Sequence, residues 1–164
     1  MSKAAELAKA GETLTNQPSG RKNIVTNGAM QIAQRSASVT GIGASAGYFT
    51  CDRWKISTAA SAGRLTMTQT ADGPSGFANC LKLDCTTADA SIAAGENLVL
   101  QQRFEGQDLQ QIKKGTSDAE SITVSFYVKA NAVFTFGCEL FDQDNNRQIT
   151  KLFATTTDWV RHEL

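Results

Sequence analysis

One histidine, His162, and two prolines are all that the 164-residue sequence holds of either. A lone histidine confines any Ser–His or Cys–His nucleophile pair to that position. His162 lies near the end of a predicted strand, with no G-x-S-x-G or comparable signature elsewhere, so it reads as a surface or edge residue and no catalytic residue is expected. The four cysteines, Cys51, Cys80, Cys85 and Cys138, include no C-x-x-C pair, and with one histidine the usual Cys/His zinc arrangements lack ligands. No metal and no cofactor are expected. An excess of charge is also missing: 16 basic residues face 16 acidic ones and the pI is about 6.6. No global field steers the chain to nucleic acid or to an anionic membrane, so direct nucleic-acid binding is not expected. No apolar run approaches the roughly 18 residues that span a bilayer, and MSKAAELAKAGETL lacks the apolar core of a secretory signal. The expectation is a protein made in the cytosol without membrane insertion.

What is present is short periodic structure. Ser2 is placed to cap a helix over residues 3–10, with Gly11 ready to end it. Its apolar side is only Ala4, Leu7 and Ala8, while Lys3, Glu6 and Lys9 keep the other side in water. A helix this short gains too few hydrogen bonds to stand alone, so it either docks through Leu7 or frays. Residues 12–22, ETLTNQPSGRK, read as a polar linker. From Asn23 the texture changes to short strands divided by Gly, Asp, Asn and Ser: residues 23–26, 53–57, 64–70, 79–86, 97–104, 122–130, 133–142, 147–154 and 159–164. In ITVSFYVKAN, Ile122, Val124, Phe126 and Val128 share one face and Thr123, Ser125, Tyr127 and Lys129 the other. Asn131 and Ala132 then suggest a hairpin into VFTFGCELFD, and DQDNN makes the next turn. Residues 107–114 read as a one- to two-turn polar helix on Leu109 and Ile112. Regular strand spacing predicts a mainly β, antiparallel, jelly-roll-like sandwich over residues 23–164, preceded by the helix and linker at 1–22. By register with neighbouring apolar residues, Cys85 and Cys138 are expected in the core as free thiols.

Few side-chain sets offer chemistry. GIGASAG at 41–47 lacks the flanking strand and helix of a phosphate loop and reads as flexible. Asp142, Asp144, Asn145 and Asn146 could present oxygens to calcium, but the loop has neither the glycine nor the terminal glutamate of an EF-hand and reads as a plain turn. Aromatic rings can stack on sugars, and Tyr48, Trp54, Tyr127 and Trp159 are the candidates. Trp54, between Arg53 and Lys55, is expected to point into the core, and Trp159 to pack in the core or at an edge. Tyr127 faces outward by parity and is the candidate sugar platform.

NIVTNGAMQIAQR at 23–35 resembles the opening strand and loop of galactose-binding-like jelly rolls such as carbohydrate-binding modules, and SITVSFYVKAN and TTTDWVRHEL resemble two further strands of that fold. More closely, the Ala-rich start, the polar linker, NGAMQIAQRS, YFTCDRWK and LQQRFEGQDLQQIKKGTSDAESITVSFYVKA together resemble the N-terminal region of tail-fibre and related virion proteins of short-tailed marine bacteriophages, along nearly the whole chain. That resemblance implies a structural protein of the virion tail, assembled in the host cytoplasm. Its N-terminal segment, through Ala4, Leu7 and Ala8, would bind other tail proteins, and its β-domain would begin the projecting part used in host adhesion. It also implies a homotrimer and a host-surface glycan as a further partner. A carbohydrate-binding module and a head-decoration protein are the alternatives. Jelly rolls of this kind continue past the tryptophan strand, so the expectation is that the chain continues beyond Leu164 or that a neighbouring subunit supplies the missing strands.

Overall fold

The computed structural model describes residues 2–16 and 23–164. Its first element is α1, Lys3–Asn16. Ser2 caps it as expected: its carbonyl accepts from the amides of Ala5 at 2.9 Å and Glu6 at 3.2 Å, and its hydroxyl accepts from Ala5 at 3.4 Å. The helix does not stop at Gly11 but runs on to Asn16, so residues 12–16 of the expected linker are helical. A glycine within a helix costs about 1 kcal/mol relative to alanine, which slows a helix without ending it. Residues 17–22, the rest of that linker, lie outside the described residues.

The chain forms two compact units, Met1–Glu120 and Ser121–Leu164. The first holds β1 (Ser38–Ile42), β2 (Lys55–Ala59), β3 (Arg64–Thr70), β4 (Cys80–Thr87) and β5 (Asn97–Gln101). One antiparallel sheet has the order β1-β3-β4, and β2 pairs antiparallel with β5 in the other. Alternation sets the faces. Leu65 and Met67 of β3 point inward while Thr66 and Thr68 point away. Ile42, Leu65 and Met67 from the three-stranded sheet meet Ile56 of β2, with Val39, Phe49, Trp54, Leu81 and Leu100 packed around them. Two sheets thus bury their inner faces against each other, the defining contact of a β-sandwich. Gly47 extends the second sheet by exchanging two 2.9 Å backbone bonds with Ile56.

Two of the strand and loop expectations fail in this unit. Residues 23–26 form no strand. GIGASAG is no flexible loop either, because its first two residues end β1 and Ile42 is buried. Gly41 sits at φ +71 where the β1–β3 register shifts, and Gly43, at φ +131, leaves no room for a Cβ beside the Gly63 carbonyl. The glycines that made the segment look loose are what let it bulge and pack. The expected polar helix at 107–114 appears as a 3-10 helix, Gly106–Ile112, closed by Lys113 at φ +53.

The second unit holds β6 (Ser125–Val128), β7 (Thr135–Asp142), β8 (Arg147–Ala154) and β9 (Val160–Glu163). The β7–β8 hairpin pairs in full register from Thr135↔Ala154 to Asp142↔Arg147. Its turn is closed by Asp142, whose carboxylate accepts from the Asp144 amide at 3.3 Å and the Asn145 side chain at 2.8 Å. The expected hairpin between the strands at 122–130 and 133–142 does not form; β6 pairs with β9 instead, Phe126 opposite His162. A two-residue type I′ hairpin needs left-handed residues at both positions, which Asn131 tolerates but Ala132 disfavours. The link crosses between sheets, held by the fully buried Thr155. Thr155 donates its amide to the Phe134 carbonyl at 2.8 Å and its hydroxyl to the Ala132 carbonyl at 3.0 Å. Its hydroxyl also accepts the Phe134 amide at 3.0 Å.

The two ladders of this unit meet through aromatic rings. Phe126 packs edge-on against Phe153 with centroids 4.9 Å apart, Phe136 stacks on Phe153 at 6.0 Å, and His162 lies 5.2 Å from Phe153. His162 lies on an edge strand as expected, but half-buried against the aromatic cluster, and its Nε2 is buried without a hydrogen-bond partner among the described residues. The β7 and β8 strands are 8 residues long and β6 and β9 only 4, so one ladder outreaches the other. Leu140 and Ile149, opposite each other beyond that cover, stay exposed on the same face as Phe136.

Cysteine placement also departs from expectation. Cys51 is buried and Cys138 half-buried, but Cys85 is exposed. Cys85 and Leu83 lie opposite Leu65 and Met67 on the inward face of β4, yet β4 is an edge strand, and only Leu81 reaches the packed cluster. Burial pushes the thiols of Cys51 and Cys138 up, so each yields thiolate only at higher pH than a free thiol. Alkylation with iodoacetamide at pH 8 is expected to modify Cys85 first and to leave Cys51 unmodified until denaturant is added. Peptide mass mapping of a time course reads this directly, and early modification of Cys51 would contradict the packing.

Candidate functional site

Asn27 organises the loops at one end of the first unit. Its side-chain amide donates to the carbonyls of Ile32 at 2.9 Å and Asp52 at 3.0 Å, and its side-chain oxygen accepts the Ile32 amide at 3.1 Å. Its own carbonyl accepts the Trp54 indole N–H at 3.2 Å, which fixes Trp54 against the core as expected. The Asp52 amide completes the clamp by donating to Ile32 at 2.9 Å. Segment 27–35 and turn 51–54, distant in sequence, are thereby held side by side.

A cleft of about 330 Å³ opens over this clamp, lined by Gln34, Arg35, Tyr48, Asp52 and Arg53. Asp52 is oriented from below: its Oδ1 accepts the Gln34 amide at 3.2 Å and stands 3.9 Å from the Arg35 guanidinium. The Arg35 guanidinium lies over the Tyr48 ring at 5.6 Å, a cation–π contact that leaves it largely in solvent. Arg53 has no ion pair or hydrogen bond among the described residues. It is also the third residue of a turn closed by the Trp54 amide on the Cys51 carbonyl at 3.2 Å, with φ +73. A type II turn takes glycine at that position, and a side chain there costs about 1–2 kcal/mol. The set thus offers two guanidinium groups, one oriented carboxylate, an amide and a phenol ring, all on a braced frame. It does not place a nucleophile beside a base.

A second cleft, about 380 Å³, lies between residues 23–26 and the 3-10 helix and is lined by Asn23, Ile24, Thr26, Gln107, Asp108, Gln110 and Gln111. Gln102 ties its floor, accepting the Thr26 amide at 2.8 Å and donating to the Thr26 carbonyl at 2.7 Å. A glutamine side chain thus does for residues 23–26 what a neighbouring strand would do. Apart from Ile24 the lining is polar, and it holds no cation and no aromatic ring.

Of the residues singled out in the sequence, Ala4, Leu7 and Ala8 lie exposed on α1, Leu7 at 77%. Tyr127 is exposed on the outer face of β6, opposite Arg161. Trp159 is half-buried, with the Lys129 ammonium 5.1 Å from its ring. Tyr48 was recognisable as an aromatic candidate; Gln34, Arg35, Asp52 and Arg53 were not. The Asn27 clamp and the Asp52–Gln34 bond bring them together, and the left-handed backbone angle marks Arg53 as unusual. Among the described residues no group of three or more His, Cys, Asp or Glu side chains could hold a metal ion, and no helix is long and apolar enough to cross a membrane. Comparison with protein-family models, with curated proteins and with solved structures finds no match to this chain.

Asn27 occupies φ +53, a left-handed position that asparagine tolerates better than alanine. Asn27→Ala is expected to lower stability by about 2–4 kcal/mol, the sum of three lost hydrogen bonds and the backbone cost. Asn27→Gly loses the same bonds without the backbone cost and should fall about 1 kcal/mol less far. Urea unfolding of both variants checks the order; equal losses would show that the left-handed angle is not what selects asparagine.

Proposed function

We propose that this chain is a structural protein of a bacteriophage virion, of tail-fibre type. In this reading α1 attaches the chain to the tail through Ala4, Leu7 and Ala8, and the β-structure begins the part that projects toward the host. The observation that carries it is the uncovered apolar stretch of the β7–β8 ladder, where Leu140 and Ile149 are exposed beside Phe136. Apolar surface of this kind on a sheet only two strands wide favours association with another copy. The resemblance of the N-terminal segments to tail-fibre proteins supports the same reading and gives the copy number, three. The extension of α1 to Asn16 supports it too, since 14 residues rise about 21 Å, a length that sister helices can clasp.

A second reading, a carbohydrate-binding protein used in host adhesion, is favoured by the cleft at Arg35, Tyr48 and Arg53. The two are compatible, because a projecting fibre needs a receptor contact.

Native mass measurement at micromolar concentration is expected to give a trimer. Ile149→Lys changes a side chain that is 58% exposed, so it should leave the melting temperature within a few degrees while shifting the mass to monomer. A wild-type monomer would count against the fibre reading. Leu7→Asp should leave the melting of the β-units unchanged and lower the protein's occupancy in particles. Wild-type occupancy of that variant would remove α1 as the anchor, and labelling on the head rather than the tail would favour a decoration protein.

A further inference from the structure

We propose that the cleft formed by Gln34, Arg35, Tyr48, Asp52 and Arg53 binds an acidic saccharide, a sugar chain carrying ring carboxylates. This rests on the carbohydrate-binding reading above and narrows it to a substrate class. The charges decide the class. Two guanidinium groups and one carboxylate line the cleft, and Arg53 faces it with no ion pair among the described residues. A neutral sugar would leave that guanidinium without a counter-charge. A bare inorganic anion would meet the guanidiniums well but would face the Asp52 carboxylate, whose Oδ1 is already taken by the Gln34 amide and stands 3.9 Å from Arg35. A ligand with both an anionic group and hydroxyl donors satisfies every wall: its carboxylate on Arg53 as a charge-assisted pair, its hydroxyls on Asp52 and on the side-chain amide of Gln34, whose backbone N–H is already held by Asp52. The Tyr48 ring, 40% exposed and held on one side by Arg35, supplies the flat surface against which the carbon face of a sugar ring rests.

The backbone supports the same assignment. Arg53 holds a left-handed angle at a turn position where glycine is favoured, and strain of that kind persists where the surrounding structure fixes it and a side chain is wanted. Here the Asn27 clamp fixes it, by holding the Asp52 carbonyl and the Trp54 indole on either side. Direction follows from the turn: Arg53 lines the cleft together with Asp52 rather than packing beneath it.

The test is a titration of the full chain, followed by calorimetry and by amide chemical shifts of residues 34, 48, 52 and 53. The probes are galacturonate, glucuronate and mannuronate oligosaccharides, their neutral counterparts, and inorganic sulfate at matched ionic strength. At least one uronate oligosaccharide is expected to bind saturably at the cleft, at least tenfold more tightly than its neutral counterpart or sulfate. Arg53→Gly is expected to weaken that binding at least tenfold while holding or raising the melting temperature, since glycine suits φ +73. This separates lost recognition from lost folding. Neutral oligosaccharides binding as tightly as uronates at the same residues would overturn the acidic class and keep the carbohydrate reading. Sulfate binding as tightly as uronate, or unchanged affinity in Arg53→Gly, would overturn the site as described. No saturable response to any saccharide would overturn both.

Discussion

The contact between Ile56 and the β3 residues Leu65 and Met67 is what makes the first unit a sandwich. Ile56 and Met67 are fully buried, and among the described residues the buried apolar set otherwise includes only Ile42, Cys51 and Leu65. Each such side chain contributes about 1.5–3 kcal/mol, so this core is thin for the length of chain it holds. Much of the remaining order comes from side chains that bond to backbone far away in sequence. Asn27 joins two loops, Gln102 replaces a neighbouring strand for Thr26, and in the second unit Thr155 fixes a crossing link. Each bond is worth about 0.5–1.5 kcal/mol net, and breaking one costs more where the partner left behind is buried.

That division explains which parts of the fold were legible in the sequence. Alternation reads inward and outward faces, so the strands around Leu65, Phe126 and Phe136 could be placed within a few residues of their observed positions. It does not read partners. The β6–β7 hairpin was expected because two strands follow each other across a short break, yet Thr155, more than 20 residues along the chain, decides that the break is a crossing. The strand β1 was hidden because Gly41 interrupts its alternation with a bulge. Cys85 has the right parity for burial but sits on an edge strand, a fact of sheet order that no local pattern carries.

The cleft was illegible for a related reason. Gln34 and Arg35 are about as ordinary in the sequence as any polar pair, and Arg53 reads as a strand residue beside a tryptophan. Their meeting depends on Asn27, whose three side-chain bonds have no local signature. Asparagine at a left-handed turn is common, and nothing in its neighbours says which distant carbonyl it will bind. By contrast the surface chemistry of residues 3–9 follows from composition alone, since Ala4, Leu7 and Ala8 form the apolar side there and Leu7 is left in water.

In the second unit Val124 and Leu164 lie side by side at one end of the β6–β9 ladder. They exchange two backbone bonds, 3.1 Å and 2.9 Å, immediately before Ser125 pairs with Glu163. Because the two residues share that end of the ladder, a pull applied across them does not shear β6 against β9. It peels the ladder from that end, one pair of bonds after another, reaching the Phe126–His162 pair before any other contact of the aromatic cluster. Opened this way, the unit yields at the force that breaks a few bonds rather than all of them together. The length stored in β7, β8 and the Thr155 crossing would then pay out stepwise, so the unit behaves as a compliant element under load.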